Sequence, residues 1–116
     1  MTRVLFLVSD GRFTGFSVKG HASDTAFSGT DIVCSAVSSA VYFAANTATD
    51  VFGAKADITV SDARFVFSLK GENDESAERL LKGLAMHFIM LSRQYPDNLK
   101  VRIINTTHNS EVHNHA

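Results

Sequence analysis

The chain has 116 residues, 45% of them hydrophobic and 20% charged, with 11 Lys and Arg against 12 Asp and Glu for a net charge of −1. That length argues one domain able to bury about two-thirds of its unfolded surface, and the composition is ordinary for a soluble globular protein. The balanced charge argues against a generic nucleic-acid binder, and one cysteine excludes an intramolecular disulfide, which suits a reducing cytosol.

Met1 to Asp10 is apolar over only five residues, Val4 to Val8. This is too short for a signal-peptide core, and no apolar run is expected to reach membrane-spanning length. The segment reads as a central strand. Ser9-Asp10-Gly11-Arg12 is a hairpin turn, because Gly tolerates positive φ beside an Asp, and Phe13 to Lys19 returns as a second strand. A helix is expected from about Thr30 to Asp50, capped by Ser28 or Thr30, with Ser28-x-x-Asp31 fitting a capping box and Gly53 closing it. Its many Ser and Ala residues let it pack close to a sheet or another helix.

A second hairpin follows, Asp57 to Val60 and Phe65 to Leu69, turning through Ser61-Asp62-Ala63-Arg64. Here the chain repeats itself: VSDGRFTGFSVKG from Val8 aligns with VSDARFVFSLKG from Val60, with one residue deleted. Duplication and convergent hairpin chemistry both account for the match. The second copy has Glu72 where His21 follows Gly20, and it has no cysteine. The second helix, about Asp74 to Tyr95, carries a stripe of Ala77, Leu80, Leu81, Leu84, Phe88, Leu91 and Tyr95 that reads as core. Met86, Ile89 and Met90 fall off that stripe and suggest a second buried face or a partner surface. Pro96 stops the helix. Lys100 to Asn105 is a last strand, and the polar tail from Thr106 to Ala116 is expected to fray. His108, His113 and His115 lie in that tail, where a solvated segment fits better than a fixed metal site, so no metal or cofactor is expected. The order β-β-α-β-β-α-β gives an α+β fold: a mixed sheet of two hairpins plus a last strand, with two crossover helices on one face. One domain spans residues 1–105, followed by the tail, 106–116.

The chemistry concentrates between Gly20 and Ser38. His21 follows the second strand, and Cys34 lies just inside the first helix. A loop of mostly small and polar residues joins them, which allows a thiolate–imidazole pair. An inert core thiol is the competing reading, since Cys34 sits among Ile32, Val33 and Val37. An ordinary thiol is only a few per cent ionised at neutral pH, and making it mostly thiolate takes about 2.7 kcal/mol. A helix N-terminus contributes ~0.3–1 kcal/mol, so an imidazolium partner has to supply the rest. His21 is the histidine the sequence places nearest.

Gly20-His21-Ala22 followed by Gly29-x-Asp31-Ile32-Val33-Cys34-x-Ala36-Val37-Ser38 resembles the signature of the Prp family of ribosomal-processing cysteine proteases, and weaker similarity runs to about Asn105. The resemblance implies a cytoplasmic, homodimeric thiol protease with Cys34 as nucleophile and His21 as base and then acid, supported by Asp31 and Ser38. It implies removal of the N-terminal extension of a large-subunit ribosomal protein (L twenty-seven type), cut after an aromatic pair. Gly20, Ala22, Phe27 and Gly29 would then belong to a substrate loop forming an apolar cleft, with helix-start amides as candidate oxyanion donors. No direct nucleic-acid or membrane contact is expected. Asp31 fits helix capping as well as support of His21. Met86, Ile89 and Met90 are the candidate dimer surface. A non-catalytic ribosome-assembly binding module with a structural Cys34, and a redox-sensing thiol, are the alternatives.

Overall fold

The computed structural model describes residues 1–20, 28–71, 74–106 and 110–112, of which 28–31 and 110–112 are described by backbone alone. The strands are β1 (Thr2–Ser9), β2 (Arg12–Lys19), β3 (Ala56–Ser61), β4 (Arg64–Leu69), β5 (Leu99–Asn105) and β6 (Ser110–Val112), and the helices are α1 (Ser28–Asn46) and α2 (Glu75–Gln94). One sheet runs in the order β3-β4-β2-β1-β5-β6. All its pairs are antiparallel except β1 with β5. This is the expected α+β mixed sheet, with one addition. The short strand β6 pairs with β5 inside the tail that was expected to fray, where a three-residue ladder satisfies backbone groups on what would otherwise be an edge.

The β1–β2 turn forms as the sequence dictates. Asp10 and Gly11 have φ of 52° and 77°, the left-handed pair a tight hairpin requires. In β1, Thr2, Val4, Phe6 and Val8 all point to the buried face. Val4, Phe6 and Val8 join Phe16, Phe67, Val33, Val37, Leu81 and Phe88 in one core, so both helices cover the same face of the sheet. Phe6 packs against Phe16 with ring centroids 5.6 Å apart, and Phe16 stacks on Phe67 at 5.4 Å and 15°.

α1 begins two residues earlier than expected and runs into a π-helical turn, Thr47–Val51. The wider turn ends where Phe52 N–H bonds to Thr47 C=O, and Gly53 follows at φ 70°. The stretch Ile32–Val51 is helical and, by length and composition, apolar enough to cross a membrane, which corrects the expectation that no such run exists. Val33, Val37, Val41, Ala44, Ala45 and Ala48 of that stretch are buried in the core, which accounts for its apolar character. α2 is capped by the Asp74 carboxylate, which accepts from Ala77 N–H at 3.2 Å. Its expected stripe is buried or half-buried throughout, and Ile89 is buried as well. Of the three residues that suggested a second buried face or a partner surface, Ile89 is buried and Met86 and Met90 are exposed. Ile89 lies four residues after Ala85, itself buried, so the buried arc of α2 is wider than one heptad stripe.

Candidate active site

Cys34 lies in the second turn of α1, half-buried, at the boundary between the core-facing Val33 and Val37 and the solvent side. It opens into a cleft of about 160 Å³. Cys34, Ser38 and Tyr42 line it from α1, spaced four residues apart and hence on one side of the helix. Val18 comes from β2, Gly20 directly follows that strand, and Thr2 comes from the neighbouring end of β1. The opposite wall is the second hairpin, Val60 to Phe65.

Part of the cleft lining is apolar yet uncovered. Val60 is 61% exposed and Tyr42 52%, and the Tyr42 ring meets Phe65 edge-on at 5.8 Å. Such a surface suits an apolar side chain from outside. The polar groups around it, Thr2, Ser38, Ser61, Asp62 and Arg64, supply hydrogen bonds and one charge of each sign. No group of three or more metal-ligating side chains occurs among the described residues.

Gly20 fixes the point where the chain leaves the sheet. Its φ is 78°, and a Cβ there would lie 2.7 Å from the Met1 carbonyl oxygen, so both conformation and space demand glycine. Its N–H donates to Ala63 C=O at 2.9 Å, tying the end of β2 to the turn of the second hairpin. The next residue is His21. His21, Ala22 and Phe27 lie outside the described residues. Gly29 and Asp31 are in the first turn of α1, where the backbone alone is described. Asp31 is one turn before Cys34 and Ser38 one turn after it.

The helix start changes the electrostatic argument. With α1 beginning at Ser28, the unbonded amides lie in its first turn, and Cys34 lies roughly 9 Å of helical rise from that start. The dipole effect falls off within the first turn, so its help to the thiolate is smaller than a helix-start cysteine would receive.

Tyr42 was legible in the sequence, since it continues the Cys34–Ser38 spacing, although that spacing was not followed through. The hairpin wall was not legible, because it reaches the cleft only through the pairing of β2 with β4.

Residues 1–100 match the model of the family described as cysteine protease Prp. Among solved structures, SMU.848 from Streptococcus mutans superposes with a TM-score of 0.81 at 20% identity, covering 91% of this chain and 96% of its own. The essential ribosomal processing protease Prp from S. aureus, in complex with a substrate peptide, superposes with a TM-score of 0.81 at 24% identity, covering 89% and 99%. The same S. aureus protease with a covalently linked product peptide gives 0.79 at 23% identity. These likenesses establish a shared fold. A search of curated proteins found no match.

Proposed function

The chain belongs to the cysteine protease Prp family, and from that premise we propose that it removes the N-terminal extension of a large-subunit ribosomal protein, with Cys34 as nucleophile and His21 as its acid–base partner. One observation carries the assignment: the only cysteine opens into a cleft that also contains Gly20, the pinned residue to which His21 is bonded.

The reaction balances with these two groups and water. The Cys34 thiolate attacks the scissile carbonyl carbon, and the carbonyl π electrons move to oxygen. Collapse of the tetrahedral adduct breaks the C–N bond, and the His21 imidazolium gives its proton to the departing amine. The thioester left on Cys34 is then hydrolysed by a water whose proton passes to His21, which releases the new carboxylate and restores the pair. Substrate preference follows from the walls. An aromatic residue on the N-terminal side of the cut would rest against Tyr42, Val60 and Phe65. A ring buries 150–250 Å², worth up to ~4–6 kcal/mol before the cost of ordering the peptide.

The test is cleavage of a peptide spanning the extension from the same organism's ribosomal protein, followed by mass spectrometry, with wild type, Cys34→Ala and His21→Ala. Wild type is expected to cut once, both variants not at all, and Cys34→Ala to keep its fold, losing about 1 kcal/mol. A fully active Cys34→Ala protein overturns the reading. Tight binding of the peptide without cleavage by wild type would make the protein a binding module instead.

A further inference from the structure

The sheet has a second face, opposite the helices, and its register sorts charge in a way the composition conceals. Lys100 pairs with Arg3, Arg3 with Lys19, and Lys19 with Arg64. Four cations therefore stand side by side on neighbouring strands β5, β1, β2 and β4, and all four are exposed. The next position in the row, on β3, is Ser61, so no carboxylate interrupts it. Arg102, paired with Leu5, adds an exposed fifth cation one step along the same face. At a strand spacing of ~4.8 Å the row of four spans roughly 14 Å. Like charges placed directly opposite one another destabilise a sheet. Folding alone gives no reason for three such oppositions in one row. Two anionic positions share this face, Asp57 opposite Ser68 and Glu111 opposite Ile104, both two steps from the row at the other end of the sheet, and further anions lie off it, among them Asp74, Glu75 and Glu78 at the start of α2.

We propose that this face binds the phosphate backbone of RNA, with Arg3, Lys19, Arg64 and Lys100 as the contact row. A polynucleotide presents single negative charges at regular intervals, which cations repeating at the strand spacing can neutralise together. The uncovered positions beside the row, Leu5, Leu7, Ser17 and Val66, carry no aromatic ring. Base stacking, on which single-strand recognition depends, is therefore not offered here. Recognition falls to phosphates, which is sequence-independent and strongly salt-dependent. The row also lies at the cleft end of the sheet: Arg3 follows Thr2, Lys19 precedes Gly20, and Arg64 is itself a lining residue. Bound RNA would thus run beside the site where the substrate is cut. The choice of RNA over another polyanion rests on the proposed ribosomal-protein substrate, whose natural surroundings are RNA.

The experiment measures binding of a fluorescein-labelled RNA hairpin of arbitrary sequence by anisotropy, across a salt series, alongside peptide cleavage. Wild type is expected to bind at about 50 mM salt, with a log–log salt slope near −3 for four phosphate contacts. Arg3→Glu with Lys100→Glu should weaken binding by ~10-fold or more and make the slope shallower by about two, while cleavage of the isolated peptide stays at the wild-type rate. Arg3→Ala with Lys100→Ala is the second variant should charge reversal disturb the sheet. Absence of wild-type binding, or unchanged binding in both double variants, overturns the proposal. Equal competition by a polyglutamate peptide of the same charge also overturns it, and assigns the face to an acidic protein segment. RNA binding without any cleavage would sink the protease assignment alone, whereas cleavage without RNA binding would sink this one alone.

Discussion

The two hairpin–helix halves of the molecule use similar strands and diverge where the chain leaves them. Phe16 and Phe67, equivalent in the internal repeat, face each other directly across β2 and β4, as a pseudo-twofold relation between the halves requires. Gly20 and Gly71 are equivalent too, yet their surroundings differ. Gly20 is at φ 78° with no room for a Cβ, whereas a Cβ at Gly71 would meet nothing within 4 Å. The first half leads through residues 20–27 to the helix that carries Cys34. The second leads through residues 70–74 to a helix capped by Asp74. The repeated hairpin frame thus tolerates a relaxed junction in one half and holds a constrained one in the other, and the constrained one borders the cleft.

The sharpest test of that frame is at its axis. Phe67→Ala should cost ~3–5 kcal/mol in denaturant unfolding, and Phe16→Ala a similar amount, because both rings are fully buried. The double variant should fall short of the sum, since the rings stack on each other. Strict additivity would show that the two halves are not coupled at this point.

Next in size is the contrast between the glycines. Gly20→Ala should lower stability by ~1–3 kcal/mol, because it combines a left-handed φ with a backbone clash. Peptide cleavage should fall with it even well below the melting temperature. Gly71→Ala should stay within about 0.5 kcal/mol of wild type and cleave normally. Equal effects at both positions would erase the distinction between the junctions.

The helix starts give a smaller contrast. Asp74→Ala should cost about 1 kcal/mol through loss of its bond to Ala77 N–H, leaving the thiol unaffected. Asp31→Asn, which keeps shape and removes charge, should slow cleavage and move thiol alkylation to higher pH, as expected of a carboxylate that supports the His21 imidazolium. A move to lower pH would make Asp31 a repelling neighbour of the thiolate. A lower melting temperature with an unmoved titration would give it a role in the first turn of α1 alone. Smallest of all, Met90→Lys should change monomer stability by less than about 0.5 kcal/mol, because Met90 is 52% exposed. Sedimentation of the same variant tests whether Met86 and Met90 take part in self-association.

What could be read from residues alone was local. Asp10-Gly11 specified a tight hairpin because its backbone angles are cheap only for such residues. Asp74, Pro96 and the apolar spacing between them specified α2 to within a residue at each end, since caps and periodicity act within a few turns. Cys34 and His21 stood out as a pair through the family resemblance, and His21 lies outside the described residues. For Ile89 the sequence allowed a second buried face or a partner surface, and it is buried because a helix packed against both a sheet and a second helix buries a wider arc than one stripe. The strand order, the hairpin wall of the cleft and the cationic row of Lys100, Arg3, Lys19 and Arg64 depend on registers between segments far apart in the chain. Those registers are set by how Phe6, Phe16 and Phe67 share one core, a many-body packing condition that no short window of sequence contains.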